Sequence, residues 1–235
     1  MTDLDFVRSK VLNNIPARKL QEAISLINNE TINSADKATK LLMINRYSES
    51  NIPLEYWALK MEKDFKGDPR LLEKYNNYIK DLRTIYSTGT SICLASSHGT
   101  GKSLTITCIL KKAAQKGFSC LYTTLSDVVG ALTAGYGEET KEAKRELTMV
   151  DFLAIDEVDL RFYNQSDNAK ELYGRSFETI IRTRLQNKLP TLLATNSPNI
   201  KENFISYFKD SLGSLLSKVE IFTVMPGNDF RKESK

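Results

Sequence analysis

Short apolar runs alternate with amphipathic stretches along most of the chain. Each run is bounded by polar or turn-forming residues, as expected of strands that are buried on both faces of a parallel sheet. The runs are residues 91–95, 119–124, 152–156, 191–196 and 219–224. Between them, apolar residues recur at the spacing of helices that cover a sheet. The pattern predicts an α/β fold with five parallel strands flanked by helices and joined by right-handed crossovers.

Local signals add detail between these strands. Residues 46–57 are predicted to form a linker, because they are rich in Ser and Asn and because Pro53 requires extended backbone before it. One uninterrupted helix is predicted from Leu71 to Ile85. Another is predicted from Asp127 to Ala134, with Ser126 as its cap.

The first 45 residues carry apolar positions at helical spacing in short pieces, and Ser34 is placed to cap the third piece. The sequence therefore divides into a small helical segment, residues 1–45, and a main domain, residues 46–235. Because a few short helices bury little apolar surface, the segment either packs on the main domain or docks a partner. A second open question concerns residues 135–145, which fit a solvated face or a strip that touches a nucleic-acid backbone.

Composition narrows the class of protein. The chain has 235 residues, is 41% hydrophobic and carries a net charge of +4, which permits contact with nucleic acid without requiring it. It has no apolar run of roughly 18 residues, and its first residues lack the pattern of a signal peptide, so we expect a cytoplasmic protein outside the membrane. Cys93, Cys108 and Cys120 lack metal-ligand spacing and are expected to be buried thiols.

The strongest chemical signal follows the first predicted strand. Residues 96–103 read SSHGTGKS, which matches the phosphate-binding loop G-x-x-x-x-G-K-[ST] except for Ser96 in place of the first glycine. The loop predicts a nucleoside triphosphate site formed by Ser97, His98, Gly99, Thr100, Gly101, Lys102, Ser103 and Leu104.

Each residue type in this loop has a physical role. The glycines let backbone N–H groups approach the phosphates at a helix start. Lys102 is expected to face solvent and to reach the β- and γ-phosphates, and Ser103 is expected to offer its hydroxyl to Mg²⁺. His98, the single histidine, is expected to point to solvent without a catalytic role.

Two more strand ends carry chemistry. The run 152–155 ends in Asp156 and Glu157, the pattern of a Walker B strand, in which the first acid holds Mg²⁺ through water and the second activates the attacking water. Asn196 follows the fourth strand and is predicted to help position that water beside Glu157. A turn-forming role for Asn196 before Ser197 is the alternative.

Beyond these motifs, the chain resembles the DnaC-type loaders of replicative helicases, with the IstB-type transposition helpers as close relatives. The resemblance covers roughly residues 46–235 and includes the order of the motifs as well as the motifs themselves. The matching segments are residues 50–53, 99–102, 125–128, 153–157, 177–181, 194–197, 212–213 and 229–231.

The resemblance implies an AAA+ ATPase without a full C-terminal lid, which binds ATP and Mg²⁺. It implies that the protein assembles on a DnaB-like hexameric helicase through its N-terminal segment, self-associates on the ring and contacts single-stranded DNA during helicase loading. It also implies that Asn196 senses the γ-phosphate and that Arg231 belongs to the nucleotide site.

One departure concerns the arginine finger, the residue that in this family completes the ATP site of a neighbouring subunit. Where the family has Asp-Arg, this chain has Ser217 and Lys218, so Lys218 is the candidate catalytic finger and slow hydrolysis is expected. Arg175, Arg182 and Arg184 are the alternatives.

Three other functions remain to be separated from helicase loading. An IstB-like transposition helper would favour double-stranded DNA and a transposase. A nucleotide-held adaptor would bind DNA with negligible hydrolysis, in keeping with Ser96 and Lys218. A small-molecule kinase is disfavoured, because such enzymes need an Arg-rich lid after the core, which this chain does not provide.

Overall fold

The computed structural model describes residues 12, 15–31, 33–135, 137–158, 167–197, 214–215 and 217–223. Within these residues, the strands are β1 (Ile92–Ala95), β2 (Cys120–Thr124), β3 (Phe152–Asp156), β4 (Thr191–Thr195) and β5 (Glu220–Thr223). They form one sheet in the order β2-β3-β4-β1-β5, and every pair is parallel. The predicted α/β fold with a five-stranded parallel sheet is confirmed.

Helices cover both faces of this sheet. Their bounds are α1 (Ala17–Asn28), α2 (Ser34–Glu49), α3 (Met61–Asp64), α4 (Pro69–Lys80), α5 (Leu82–Thr88), α6 (Lys102–Gln115), α7 (Leu125–Thr133), α8 (Glu138–Met149) and α9 (Asp167–Gln186). Because strand residues alternate between faces, Cys93 packs with the apolar side chains of α7, α8 and α9, and Leu94 packs with those of α4 and α6. The sheet is therefore buried on both sides, which explains its continuous apolar runs.

The N-terminal helices are joined to this core at one end. Helices α1 and α2 pack on each other, and the last turn of α2 contacts α6. There Tyr47 is buried, and the Arg46 guanidinium donates to the carbonyls of Ala114 and Gln115, each at 2.9 Å. Leu12 is fully buried among side chains of α7 and α8. The boundary between residues 45 and 46 thus falls inside α2, and the division into two parts stays a prediction.

Three local predictions are wrong, each for a capping reason. The helix predicted from Leu71 to Ile85 is interrupted at Asp81, whose carboxylate accepts from Thr84 N–H and begins α5. Thr124, and not Ser126, caps α7 by accepting from Asp127 N–H. Similarly, Asn33 caps α2 in place of Ser34. The linker is also shorter than predicted, because α2 continues through Glu49.

Two smaller expectations concern apolar surface. Cys93, Cys108 and Cys120 are buried and none forms a disulfide, as predicted. Among the described residues, no helix combines the length and the apolar character that crossing a membrane requires.

Candidate functional site

The phosphate-binding loop joins the carboxyl end of β1 to the start of α6. Gly99 and Gly101 have φ angles of 73° and 89°, in the left-handed region that favours glycine. Gly101 is the N-cap of α6, so the loop leads directly into the positive end of a helix. The backbone therefore has the shape that the sequence motif requires of an anion cradle.

Lys102 differs from its predicted orientation. Its side chain is only 6% exposed, and Nζ donates to the carbonyls of Ser97 at 2.7 Å and Ser96 at 3.2 Å. The Thr100 hydroxyl lies 3.4 Å away. The prediction of a solvent-facing lysine is wrong, because the loop carbonyls turn inward and supply acceptors for the ammonium group.

Ser96 also lies inside the loop. Its hydroxyl contacts the Thr100 hydroxyl, donates to the Ser97 carbonyl at 3.0 Å and accepts from Lys102 at 3.3 Å. Both Ser96 and Thr100 are buried. The serine that replaces the first glycine of the motif thus fills the inside of the loop with a hydroxyl.

A segment ahead of the sheet lies against the same loop. A Cβ added to Gly101 would be 2.5 Å from the Phe65 ring, and one added to Gly67 would be 3.0 Å from the Thr100 carbonyl. Phe65 and Gly67 therefore pack directly on the phosphate-binding loop. Lys63, Asp64 and Lys66 of the same segment also line the cleft, so the segment adds charges of both signs to it.

The second acidic element lies at the carboxyl end of β3. Asp156 is buried, and its Oδ1 accepts from Glu157 N–H at 2.7 Å. Glu157 is exposed and has a φ of 51°, a left-handed conformation that is costly for a residue with a side chain. Val158 N–H then donates to the Ala194 carbonyl at 2.9 Å, which fixes the chain after the bend. Backbone strain of this kind is typical of functional positions.

Two tyrosines lie beside these acids. Tyr122, on β2, donates from its hydroxyl to Asp156 Oδ2 at 2.9 Å. Burial raises the pKa of Tyr122, and the neighbouring Asp156 raises it further. Burial likewise raises the pKa of Tyr56, with Glu55 as the next cause. Both hydroxyls therefore keep their protons at neutral pH and act as hydrogen-bond donors.

Tyr56 belongs to a linker that is tied to α6. The Lys111 ammonium donates to the Tyr56 carbonyl at 2.6 Å and also to the Leu59 carbonyl. Burial lowers the pKa of Lys111. Because Lys111 lies on the helix that begins at Lys102, the linker and the phosphate-binding loop are held on one rigid element.

These elements surround one cleft of about 810 Å³. Asn196 lies at the end of β4, between the acids that follow β3 and the loop that follows β1. Of the predicted site residues, the cleft brings together His98, Gly99, Thr100, Gly101, Lys102, Ser103, Leu104, Asp156, Glu157 and Asn196. It also includes Glu55, Tyr56, Leu59, Phe65 and Tyr122, which the sequence did not indicate.

The cleft has the donors that Mg²⁺ and a nucleotide require. Ser103, in the first turn of α6, and Asp156 both line it, and a hydroxyl with a carboxylate is a set of hard oxygen donors suited to Mg²⁺. Asp156 accepts one hydrogen bond on each oxygen and keeps a lone pair on each for a metal-bound water. The volume is within the range of about 300–1,000 Å³ for ligand pockets.

Solved structures share this fold, whereas no protein-family model matches the sequence and no curated protein is similar to it. The structure of the DnaC helicase loader aligns with a TM-score of 0.59 at 20% identity, over 73% of this chain and 99% of that one. DnaI aligns with a TM-score of 0.58 at 15% identity, over 75% and 93%. The replication initiator DnaA, bound to AMPPCP and single-stranded DNA, aligns with a TM-score of 0.59 at 20% identity, over 77% and 53%.

This chain spans about half the length of that DnaA structure. Besides these alignments, the chain has the strand order, the phosphate-binding loop after β1 and the two acids at the end of β3 that are described above. The fold is the one seen in these DnaC and DnaA structures. It places the cleft above the carboxyl ends of the strands, where open α/β sheets bind their ligands.

Other predicted residues lie away from the AAA+ cleft. Lys218 is exposed and precedes β5, whose Glu220 pairs with Ile92 at the start of β1, so it is at the opposite end of the sheet. Arg184 is fully buried and is not available as a finger. Arg182 pairs with Glu178 on the surface. Ser97 belongs to the loop but does not line the cleft, and Arg231 lies outside the described residues.

Proposed function

We propose that this protein is an ATP-dependent helicase loader, which binds a replicative ring helicase and single-stranded DNA during DNA replication. The observation that carries the proposal is the convergence of Lys102, Ser103, Asp156, Glu157 and Asn196 on one cleft of an AAA+ fold. The likeness in fold to the DnaC helicase loader over nearly all of that chain supports the choice of biological role.

The proposed chemistry follows from the side chains of the cleft. The loop amides and Lys102 bind the phosphates, and Ser103 and Asp156 hold Mg²⁺, which supplies charge neutralisation when it is bound. Glu157 is exposed to the cleft and accepts the proton of the attacking water. Asn196, at the end of β4, hydrogen-bonds and orients that water. No arginine of the described residues lines the cleft, so hydrolysis by a single copy is slow.

Replacing Glu157 by Gln tests this assignment. The amide keeps the size and the hydrogen bonding of the side chain but is not a base, so ATP binding is retained and hydrolysis falls by about 100-fold or more. Phosphate release and binding of a fluorescent ATP analogue measure the two effects, with Glu142→Gln on the exposed face of α8 as the matched control. Wild-type binding without any turnover, even with single-stranded DNA and helicase present, would favour the adaptor function instead.

The helicase contact is assigned to the α1–α2 hairpin. Leu26 and Leu42 are 70% and 47% exposed, although both are large apolar residues on helices that contact the main domain at one end. Because α1 and α2 pack on each other, the two leucines are available for one shared apolar surface, and a contiguous exposed surface of this kind favours a docked protein. The double variant Leu26→Glu/Leu42→Glu should stay folded and lose capture of a DnaB-type hexameric helicase, whereas Met149→Glu, which is also exposed, should retain it. Undiminished capture by the double variant would leave this hairpin with a packing role only.

Self-association completes the proposal. Lys218 is too far from the cleft of its own chain and is exposed, so it is available to the cleft of a second copy. Its single charge engages phosphate less effectively than an arginine fork. Lys218→Arg should therefore raise ATP turnover only when copies assemble on the helicase. Equal turnover of the wild-type and Lys218→Arg proteins in that assembled state would exclude this finger.

A further inference from the structure

The edge strand β2 is bound to the linker that precedes the sheet through one residue, Tyr122. β2 is an edge strand, and its Tyr122 uses both backbone groups to bind the linker that follows α2. Tyr122 N–H donates to the Ser50 carbonyl at 2.8 Å, and the Asn51 side-chain amide donates to the Tyr122 carbonyl at 3.0 Å. Ser50 and Asn51 are both buried, so these bonds are shielded from water.

The same tyrosine reaches the metal side of the cleft. Tyr122 pairs with Ala154, two residues before Asp156 on the neighbouring strand, so the two side chains lie on one face of the sheet. The Tyr122 hydroxyl donates to Asp156 Oδ2, and Glu157 N–H donates to Asp156 Oδ1. With a donor on each oxygen, the carboxylate has a fixed orientation.

Both ends of this chain of contacts have left-handed backbone, which Asn adopts readily and Glu does not. The described non-glycine residues with positive φ are Asn51 at 50°, Glu157 at 51° and Lys188 at 51°. Asn51 holds Tyr122 from the linker side, and Glu157 holds Asp156 from the other side. A phenylalanine at position 122 would fill the same space, so packing alone does not account for the hydroxyl.

We propose that Tyr122 is a positioning residue for Asp156, the carboxylate assigned to hold Mg²⁺ through water, and that the Ser50–Asn51 segment sets the position of Tyr122. This inference rests on the proposed binding of ATP and Mg²⁺ in the cleft. Residues that orient a metal ligand through a hydrogen bond commonly change metal affinity by about 10–100-fold when they are removed. The hydroxyl and the linker amide thus control how readily the cleft takes up Mg²⁺ and leave the phosphate-binding loop unaffected.

A Mg²⁺ titration of nucleotide binding tests the inference without relying on turnover. Binding of a fluorescent ADP analogue is measured without Mg²⁺ and at increasing Mg²⁺. In Tyr122→Phe, affinity without Mg²⁺ should match wild type, and the Mg²⁺ concentration for half of the Mg²⁺-dependent change should rise about tenfold. Tyr78→Phe is the matched control, because this buried hydroxyl donates to the Thr90 carbonyl at 2.6 Å, away from the cleft, and the variant should titrate like wild type.

The linker is tested in the same assay with Asn51→Gly, since glycine accepts the φ of 50° but removes the amide donor. Its Mg²⁺ requirement should rise about threefold, less than that of Tyr122→Phe, because the Ser50 bond remains. If Tyr122→Phe needs the same Mg²⁺ concentration as wild type, the positioning role of Tyr122 is wrong. If only Asn51→Gly needs the wild-type concentration, the linker does not set the position of Tyr122. Absence of nucleotide binding by the wild-type protein would overturn the proposed function itself and this inference with it.

Discussion

The two ends of the sheet each contain a buried cation, and the two cations are bound in opposite ways. At the carboxyl end, Lys102 donates to oxygens of the phosphate-binding loop on the wall of the cleft. At the amino end, Arg184 is fully enclosed, and all five of its N–H donors are used. Its acceptors are the Thr191 hydroxyl and the carbonyls of Leu147, Val150, Asp151 and Pro190.

The comparison separates a structural cation from one that is proposed to bind phosphate. Burial lowers the pKa of Arg184 to about 9, still above neutral pH, so the guanidinium stays charged while it joins α8, the residue before β3 and the start of β4. Its planar fork has no donor left for a ligand. Lys102 bonds to loop oxygens at distances from 2.7 to 3.4 Å, and a phosphate in the cleft offers a charged acceptor in exchange for them. The two roles are therefore distinguished by the place of the acceptors, which are enclosed within the protein around Arg184 and lie on the wall of the cleft around Lys102.

The largest effect is expected on removing Arg184. Arg184→Met leaves four carbonyls and a hydroxyl without their donor in an enclosed space. The free energy of unfolding should fall by about 3–5 kcal/mol, as measured by urea denaturation. Arg182→Met, two positions earlier on the exposed face, should change it by less than about 1 kcal/mol. A loss of similar size in both variants would contradict a special role for Arg184.

Removing the functional cation should give the converse result. Lys102→Met should weaken ATP binding by about 1.5–3 kcal/mol, roughly ten- to hundredfold, because a charge-assisted phosphate contact is lost. Its free energy of unfolding should change by less than about 1 kcal/mol, since the loop oxygens can bind water from the cleft. Calorimetric titration and urea denaturation measure the two quantities, with the exposed Lys116→Met as control. Unchanged ATP affinity would remove Lys102 from the site.

A smaller effect is expected from changing the backbone of the phosphate-binding loop while Lys102 is kept. Gly101→Ala and Gly117→Ala impose the same conformational cost, since their φ angles are 89° and 90°, but only the first places a Cβ against the Phe65 ring. Both should lose about 1–2 kcal/mol of stability from the left-handed backbone. Gly101→Ala should lose about 1 kcal/mol more through overpacking, and Phe65→Leu should relieve part of it. Equal losses at both glycines would show that Phe65 does not restrain the loop.

The features that the sequence predicted are those coded locally. The five strands, the phosphate-binding loop and the acids after β3 each depend on residues that are adjacent in the chain. The orientation of Lys102 could not be predicted, because it depends on how the loop carbonyls turn in three dimensions. The Tyr122–Asp156 hydrogen bond joins two residues on neighbouring strands that are 34 positions apart in the chain. A tyrosine in an apolar strand does not indicate which group its hydroxyl will bond to.

The role of Arg184 illustrates the same limit. Its place in a helical pattern allowed it to be considered as a finger, but its acceptors come from two separate segments, residues 147–151 and 190–191, which only the fold brings together. Asp81 carries a weak local signal, because Asp is a preferred N-cap residue, but the helical spacing of apolar residues continues on either side of it.

The contact between the linker and β2 also bears on how the protein can be shortened. An outer strand with unpaired N–H and C=O groups is a template for strand addition by other molecules, and Ser50 and Asn51 occupy those groups at Tyr122. A truncated protein that begins after Asn51 would expose this edge and lose the Tyr47 and Arg46 anchors on α6. We expect such a protein to aggregate as it is concentrated, whereas the 235-residue protein should remain monodisperse in light scattering.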